Sequence, residues 1–173
     1  MQNMIFATVM GIAYRVNMLK RLTEVDGVAI LKELDDKYLD LLRPIFERFT
    51  CPAGEVVLQQ GSVADYLYIV LSGKVQISFK PYDGSAITVS HLEKDGLFGW
   101  SAVVGSKKYT SSAIAIEDLE AFRIRGSELR KLCKEHPDEG KIILERLADA
   151  VSFRWKDAHE KVKSIITNGM KHE

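Results

Sequence analysis

The chain has no net charge. Its 24 lysines and arginines balance 24 acids, and no long run of one sign breaks the mixture. The field that would draw it to nucleic acid or to an acidic membrane is therefore missing. Cysteine is scarce as well. Cys51 and Cys133 form no close pair and no metal-type spacing, which reads as reduced thiols in a cytoplasmic protein. The four histidines are His91, His136, His159 and His172. Only His91 falls among the strand-like segments, so the converging ligands of a metal-dependent barrel enzyme are lacking, and no metal is expected. Neither a Ser-His-Asp set, nor a Cys-His pair in a supporting context, nor a phosphate loop ending in Gly-Lys-Ser/Thr is present. The expectation is that the protein is not an enzyme.

No stretch is built to cross a membrane. The apolar start "MQNMIFATVMGIAY" has no basic residue ahead of it, and Gly11 and Arg15 interrupt it well short of the ~20 residues a span needs. It reads as a packed or frayed first helix, or as sequence upstream of a true start at Met18. What remains is ordinary globular material, 46% hydrophobic and 28% charged over 173 residues, enough for a single domain with its own core.

Three blocks follow one another. From Leu19 to Phe49 the apolar residues Leu31, Leu34, Tyr38, Leu41, Leu42, Ile45 and Phe49 recur at helical spacing. Asp35 and Asp36 can begin a helix there, and Pro44 bends or ends it. From Thr50 to Ile124 the pattern changes to period two: "EVVLQQG", "YLYIVLSGKVQISFK", "AITVSHLE" and "SSAIAIED" are β-rich and separated by Gly, Pro, Asp and Ser. "LSGKV" is a strand, a tight turn and a strand, and "PYDG" is a second hairpin tip. Gly54, Gly61, Gly73 and Gly84 sit where strands reverse, as turn-formers. From Gly126 onward the chain is helical again: "GSELRKLCKEH" with Ser127 as its cap, then a long helix opened by Pro137. The fold class is mainly β with flanking helices, an antiparallel β-roll or jelly-roll barrel between N-terminal helices and a long C-terminal helix.

Along that last helix Leu144, Leu147, Val151, Trp155, Ala158 and Val162 recur at spacings of three and four, a heptad-like seam. One reading packs it on the chain's own barrel. The other pairs it with a second copy, and the helix's length, roughly thirty residues, favours a homodimer.

The stretch "PAGEVVLQQGSVADYLYIVLSGKVQISF", followed by "DGLFG" and a short helix "WSAVVG", resembles the cyclic-nucleotide-binding domain family, which includes catabolite activator proteins and regulatory subunits of protein kinase A. The resemblance spans roughly residues 34–155, leaving a partly helical N-terminal segment, 1–33, and the end of the long helix with a tail, 156–173. It implies a phosphate cassette: Phe-Gly-Glu-Leu-Ala, then an Arg nine residues after the Glu, followed by small residues. In that arrangement helix amides and the arginine hold the cyclic phosphate, and the glutamate accepts a ribose hydroxyl. Here Phe98, Gly99 and Ala102 match, Ser101 lies between them, and Thr110 and Ser111 are the small residues. Trp100 stands at the glutamate position and Tyr109 at the arginine position.

Both charged groups are therefore replaced. A charge-assisted hydrogen bond contributes about 1.5–3 kcal/mol, so losing ~3 kcal/mol weakens binding about a hundredfold. The expectation is a stand-alone regulatory, ligand-sensing module that does not take cAMP or cGMP by the usual contacts. No cofactor is certain; a cyclic nucleotide or another small ligand would meet Phe98 to Ala102 and Tyr109 to Ser111. Lys107 and Lys108 are the nearest cations, and Trp100 can stack a planar group or plug the vacated space. The alternative is a closed-pocket module for dimerisation or protein docking. The tail after Trp155 is too short for a helix-turn-helix domain, so direct DNA binding is not expected, and a protein partner would carry any such output.

Overall fold

The computed structural model describes residues 28–32 and 34–151. They fall into two compact units, one ending at Pro44 and the other beginning at Ile45. The first holds a 3-10 turn, Ala29–Leu31, and helix α1, Asp36–Leu42. Asp35 is its N-cap residue, as its place in the sequence implies, although its side chain makes no capping bond. Arg43 closes the helix, bridging back to Asp36 and Asp40, and Pro44 follows.

The second unit is an antiparallel roll of eight strands: β1 Phe46–Cys51, β2 Val56–Leu58, β3 Tyr66–Ser72, β4 Val75–Phe79, β5 Ile87–Leu92, β6 Leu97–Phe98, β7 Ser112–Ala115 and β8 Leu119–Arg125. They form two four-stranded sheets, ordered β1-β8-β3-β6 and β2-β7-β4-β5. Helix α2, Gly126–Glu135, follows, and residues 137–151 form a third helix, α3, beginning at Pro137.

The hydrophobic alternation reads through to the packing. Cys51, Tyr68, Val70, Phe98, Leu119 and Ala121 from one sheet meet Leu58, Val75, Leu92, Ala113 and Ala115 from the other in a shared core. The three alanines leave room for rings, which matters for the site below. The turns behave as read at Gly54, Gly61 and Gly73, which all take positive φ. Gly84 lies in the β4–β5 turn as read but without a positive φ, and in the separate β5–β6 turn Asp95 (φ 64) takes the left-handed conformation.

Three local expectations are corrected. Phe49 belongs to β1, not to a helix: Phe46 and Phe49 keep helical spacing, but the segment pairs residue by residue with β8, from Phe46 opposite Ile124 to Cys51 opposite Leu119. "WSAVVG" is a single 3-10 turn, Trp100–Ala102, since β-branched Val103 and Val104 favour no longer helix. Ser127 lies inside α2 and does not cap it; the N-cap is Arg125, and the Gly126 amide is taken by the Asp65 carbonyl at 2.8 Å.

Candidate functional site

The cassette begins where β6 ends. Phe98 lies opposite Tyr68 on β3, and their rings stack 4.8 Å apart at 6°. The next residue leaves the ladder. Gly99 has φ +81, and a Cβ there would stand 2.5 Å from the Tyr66 carbonyl oxygen, so only glycine fits this approach. The 3-10 turn follows, with the Ala102 amide donating to the Gly99 carbonyl at 3.1 Å and the Val103 amide to Trp100 at 2.9 Å. Ala102 is buried; Trp100 and Ser101 are half-buried.

The chain then returns beside the loop after β2. The Ala64 amide donates to Lys107, the Gly61 amide to Tyr109, and the Tyr109 amide to Ser62, at 3.2, 2.9 and 3.0 Å. Held on both sides, Tyr109 turns its ring into the inter-sheet core, where it is 7% exposed. Its hydroxyl donates to the Tyr66 carbonyl at 2.8 Å and accepts from the Tyr66 amide at 2.9 Å. Because β6 is only two residues long, it pairs with Tyr68 and Ile69 but not with Tyr66. The tyrosine hydroxyl thus completes a ladder position that the backbone abandons at Gly99, and Tyr66's polar groups do not go unpaired.

Of the residues expected at a ligand, Phe98, Gly99, Trp100, Ser101 and Ala102 run consecutively from β6 into the turn, and Tyr109 meets that segment through Tyr66, whose carbonyl both it and Gly99 approach. Thr110 is exposed and Ser111 half-buried. Lys107 and Lys108 are both exposed, away from the core. On the far side of the turn, the Arg130 guanidinium of α2 donates to the Ala102 carbonyl, and a Cβ on Gly126 would lie 2.1 Å from that same oxygen. The cassette is therefore tied to the first turns of α2 by a side chain absent from the sequence reading.

Burial and the neighbouring Tyr109 push the Tyr68 phenol up to about 12, with Arg123 pulling the other way. Burial likewise raises Tyr109. The neutral phenol is the favoured form in the folded protein. Tyr68's contribution is fully present below pH 10 and is lost as pH rises toward about 12. Ultraviolet titration of tyrosinate absorbance is expected to show Tyr68 ionising last, together with unfolding; release at pH 10 in a folded protein would contradict its burial. A second test is Tyr109→Phe, which removes one hydroxyl and strands two backbone groups. Urea unfolding is expected to show a loss of about 1–3 kcal/mol, and no loss would mean water replaces the hydroxyl freely.

The sequence reading also missed a cluster on the inner face of the first sheet. Glu47, Arg123 and Tyr68 lie in one cross-strand row, with Arg125 opposite Tyr66 beside it. Arg123 Nε donates to Glu47 at 2.9 Å. The period-two alternation of "LEAFRIR" carries this information, since Leu119 and Ala121 face the core. No group of metal-binding side chains occurs among the described residues.

This geometry, a two-sheet roll with a left-handed glycine opening a short turn, defines a class. Residues 48–136, just over half of the chain, match the cyclic nucleotide-binding domain family, and the chain belongs to it. Among its relatives is the cyclic AMP receptor protein of Thermus thermophilus, 26% identical over 132 residues, 76% of this chain and 59% of that protein. Among solved structures, the catabolite activator protein of Thermus thermophilus is 25% identical with a TM-score of 0.64, covering 79% of this chain and 62% of that one. A cyclic nucleotide-binding domain from Methylobacillus flagellatus has a TM-score of 0.72 at 16% identity, covering 86% and 83%, and shares the fold. The chain spans about half the length of the curated relatives it matches.

Proposed function

We propose that the chain is a regulatory module that does not take cAMP or cGMP by its family's glutamate and arginine contacts, because Tyr109 closes the arginine's place from within. One observation carries this reading: the single O–H of Tyr109 is given to the Tyr66 carbonyl inside the core. A tyrosine has no second proton to offer a phosphate. Trp100, at the glutamate position, has no acceptor for a ribose hydroxyl. The relatives' regulatory class extends to this chain; the cyclic AMP in a relative's name does not follow from it.

Isothermal calorimetry with cAMP, cGMP and cyclic dinucleotides tests the proposal. A site of about micromolar affinity weakened about a hundredfold gives no better than roughly 100 μM, so flat titrations are expected below that range. Saturation at low micromolar cAMP overturns the proposal.

The closed-pocket alternative, a module for dimerisation or docking, draws support from the stacked Tyr68–Phe98 rings and buried Tyr109, which fill the core between the sheets. Homodimerisation is part of the proposal. Leu144 and Val151 of α3 are half-buried and Leu147 is fully buried, while Trp155, Ala158 and Val162 lie outside the described residues. Light scattering is expected to give a dimer at micromolar concentration, and a monomer would remove that part. No described helix is long and apolar enough to cross a membrane. We place the module in the cytoplasm, reading out through a protein partner and not through direct contact with DNA, in keeping with its neutral charge balance.

A further inference from the structure

Alternation along β8 turns Leu119, Ala121, Arg123 and Arg125 to one side of the sheet. The first two are in the core, so the arginines continue that inner face toward the strand's end. There the Arg123 guanidinium lies 4.3 Å from the Tyr66 ring centre and 5.4 Å from that of Phe49. The Arg125 guanidinium lies 4.7 Å from the same Tyr66 ring and donates to its hydroxyl. Two guanidiniums thus share one ring, and one carboxylate serves them: Glu47, which is paired with Arg123 at 2.9 Å. Among the described residues no carboxylate lies within ion-pair distance of Arg125, neither Asp65 nor Glu128 beside it in the fold included. Among the described residues the cluster carries one more positive charge than negative, on an aromatic face.

Its position gives that charge meaning. Tyr66 supplies the carbonyl against which Gly99 packs, and Gly126, next to Arg125, packs against the Ala102 carbonyl. The cluster therefore borders both ends of the cassette's turn. We propose that Arg125, backed by Tyr66, is an oxyanion seat that supplies from β8 the charge missing at residue 109. Arg125 is exposed, and with one nitrogen on the Tyr66 hydroxyl it keeps further donors in a planar fork for a phosphate or a carboxylate. This rests on the reading that Tyr109 closes the usual arginine position.

The test follows arginine Nε–Hε resonances of 15N-labelled protein during separate titrations with sodium pyrophosphate and sodium benzoate, at ionic strength fixed with sodium chloride. A saturable shift is expected at Arg125, exceeding those at Arg43 and Arg48, with at least about tenfold weaker binding in Arg125→Gln. The salt that saturates first identifies the phosphate or the carboxylate as the natural group. Tyr66→Phe, which keeps the ring and removes the hydroxyl, is expected to weaken binding less than Arg125→Gln. No saturable shift with either salt, or equal shifts at all three arginines, overturns the seat. A cAMP titration of the same samples separates the two ideas: low-micromolar cAMP binding that persists in Arg125→Gln refutes the closed cassette, whereas silence toward cAMP with no Arg125 shift refutes the seat alone.

Discussion

The double variant Trp100→Glu, Tyr109→Arg is expected to bind cAMP at least about a hundredfold more tightly than the natural sequence. The backbone that would receive the nucleotide is already formed: Phe98 on β6 against β3, Gly99 at φ +81 and the turn to Ala102. Arginine at 109 restores a forked donor for a phosphate, and glutamate at 100 restores an acceptor for a ribose hydroxyl. Removing the plug also empties space between Tyr68, Phe98 and the small residues Ala113 and Ala115. There is an opposing effect, because Tyr66's amide and carbonyl lose their partner, destabilising the fold by about 1–3 kcal/mol. Calorimetry on a variant shown by circular dichroism to be folded decides the matter. A folded double variant that still ignores cAMP would mean the cavity is lost for reasons beyond these two side chains. Tyr109→Arg alone is expected to recover the larger share, since it both opens the space and adds the charge.

Gly99→Ala is expected to be the most damaging single-methyl change in the cassette. It imposes a left-handed conformation on a residue with a Cβ, worth roughly 1–2 kcal/mol, and places that Cβ 2.5 Å from the Tyr66 carbonyl oxygen. The overlap falls on β3 backbone, which cannot yield without disturbing its ladder with β8. A total loss of about 3–4 kcal/mol is expected, with overpacking making up the balance. Gly61→Ala is the control: its φ is +84, but nothing lies within 4 Å of the added carbon, so only the conformational part, about 1–2 kcal/mol, applies. Equal urea midpoints for the two variants would show that the close approach at Gly99 is not limiting.

Another glycine, Gly73, shows what was legible in the sequence. The β3–β4 hairpin was legible because "LSGKV" places Gly73 at a positive-φ turn between two alternating runs, a purely local signal. The roll followed from such signals in series, whereas the position of the cassette came from the family resemblance of "DGLFG" and the residues after it. β1 was not legible as a strand, because Phe46 and Phe49 satisfy a helical period and only pairing with β8, some seventy residues on, decides otherwise. At the site, the occupants of positions 100 and 109 could be read directly. The direction of the Tyr109 hydroxyl could not, since it depends on β6 stopping at Phe98 and exposing Tyr66's edge. Likewise "FRIR" marks two same-face arginines, but their sharing of the Tyr66 ring depends on the β8–β3 register.

The whole account turns on whether residue 109 is an internal strut or a gate that ligand opens. A crystal structure obtained with excess cAMP measures this directly. The account predicts the Tyr109 hydroxyl still between the Tyr66 amide and carbonyl, at the 2.9 and 2.8 Å seen here, with no nucleotide beside Gly99. Tyr109 swung out of the core, with a cyclic phosphate in its place, would contradict it.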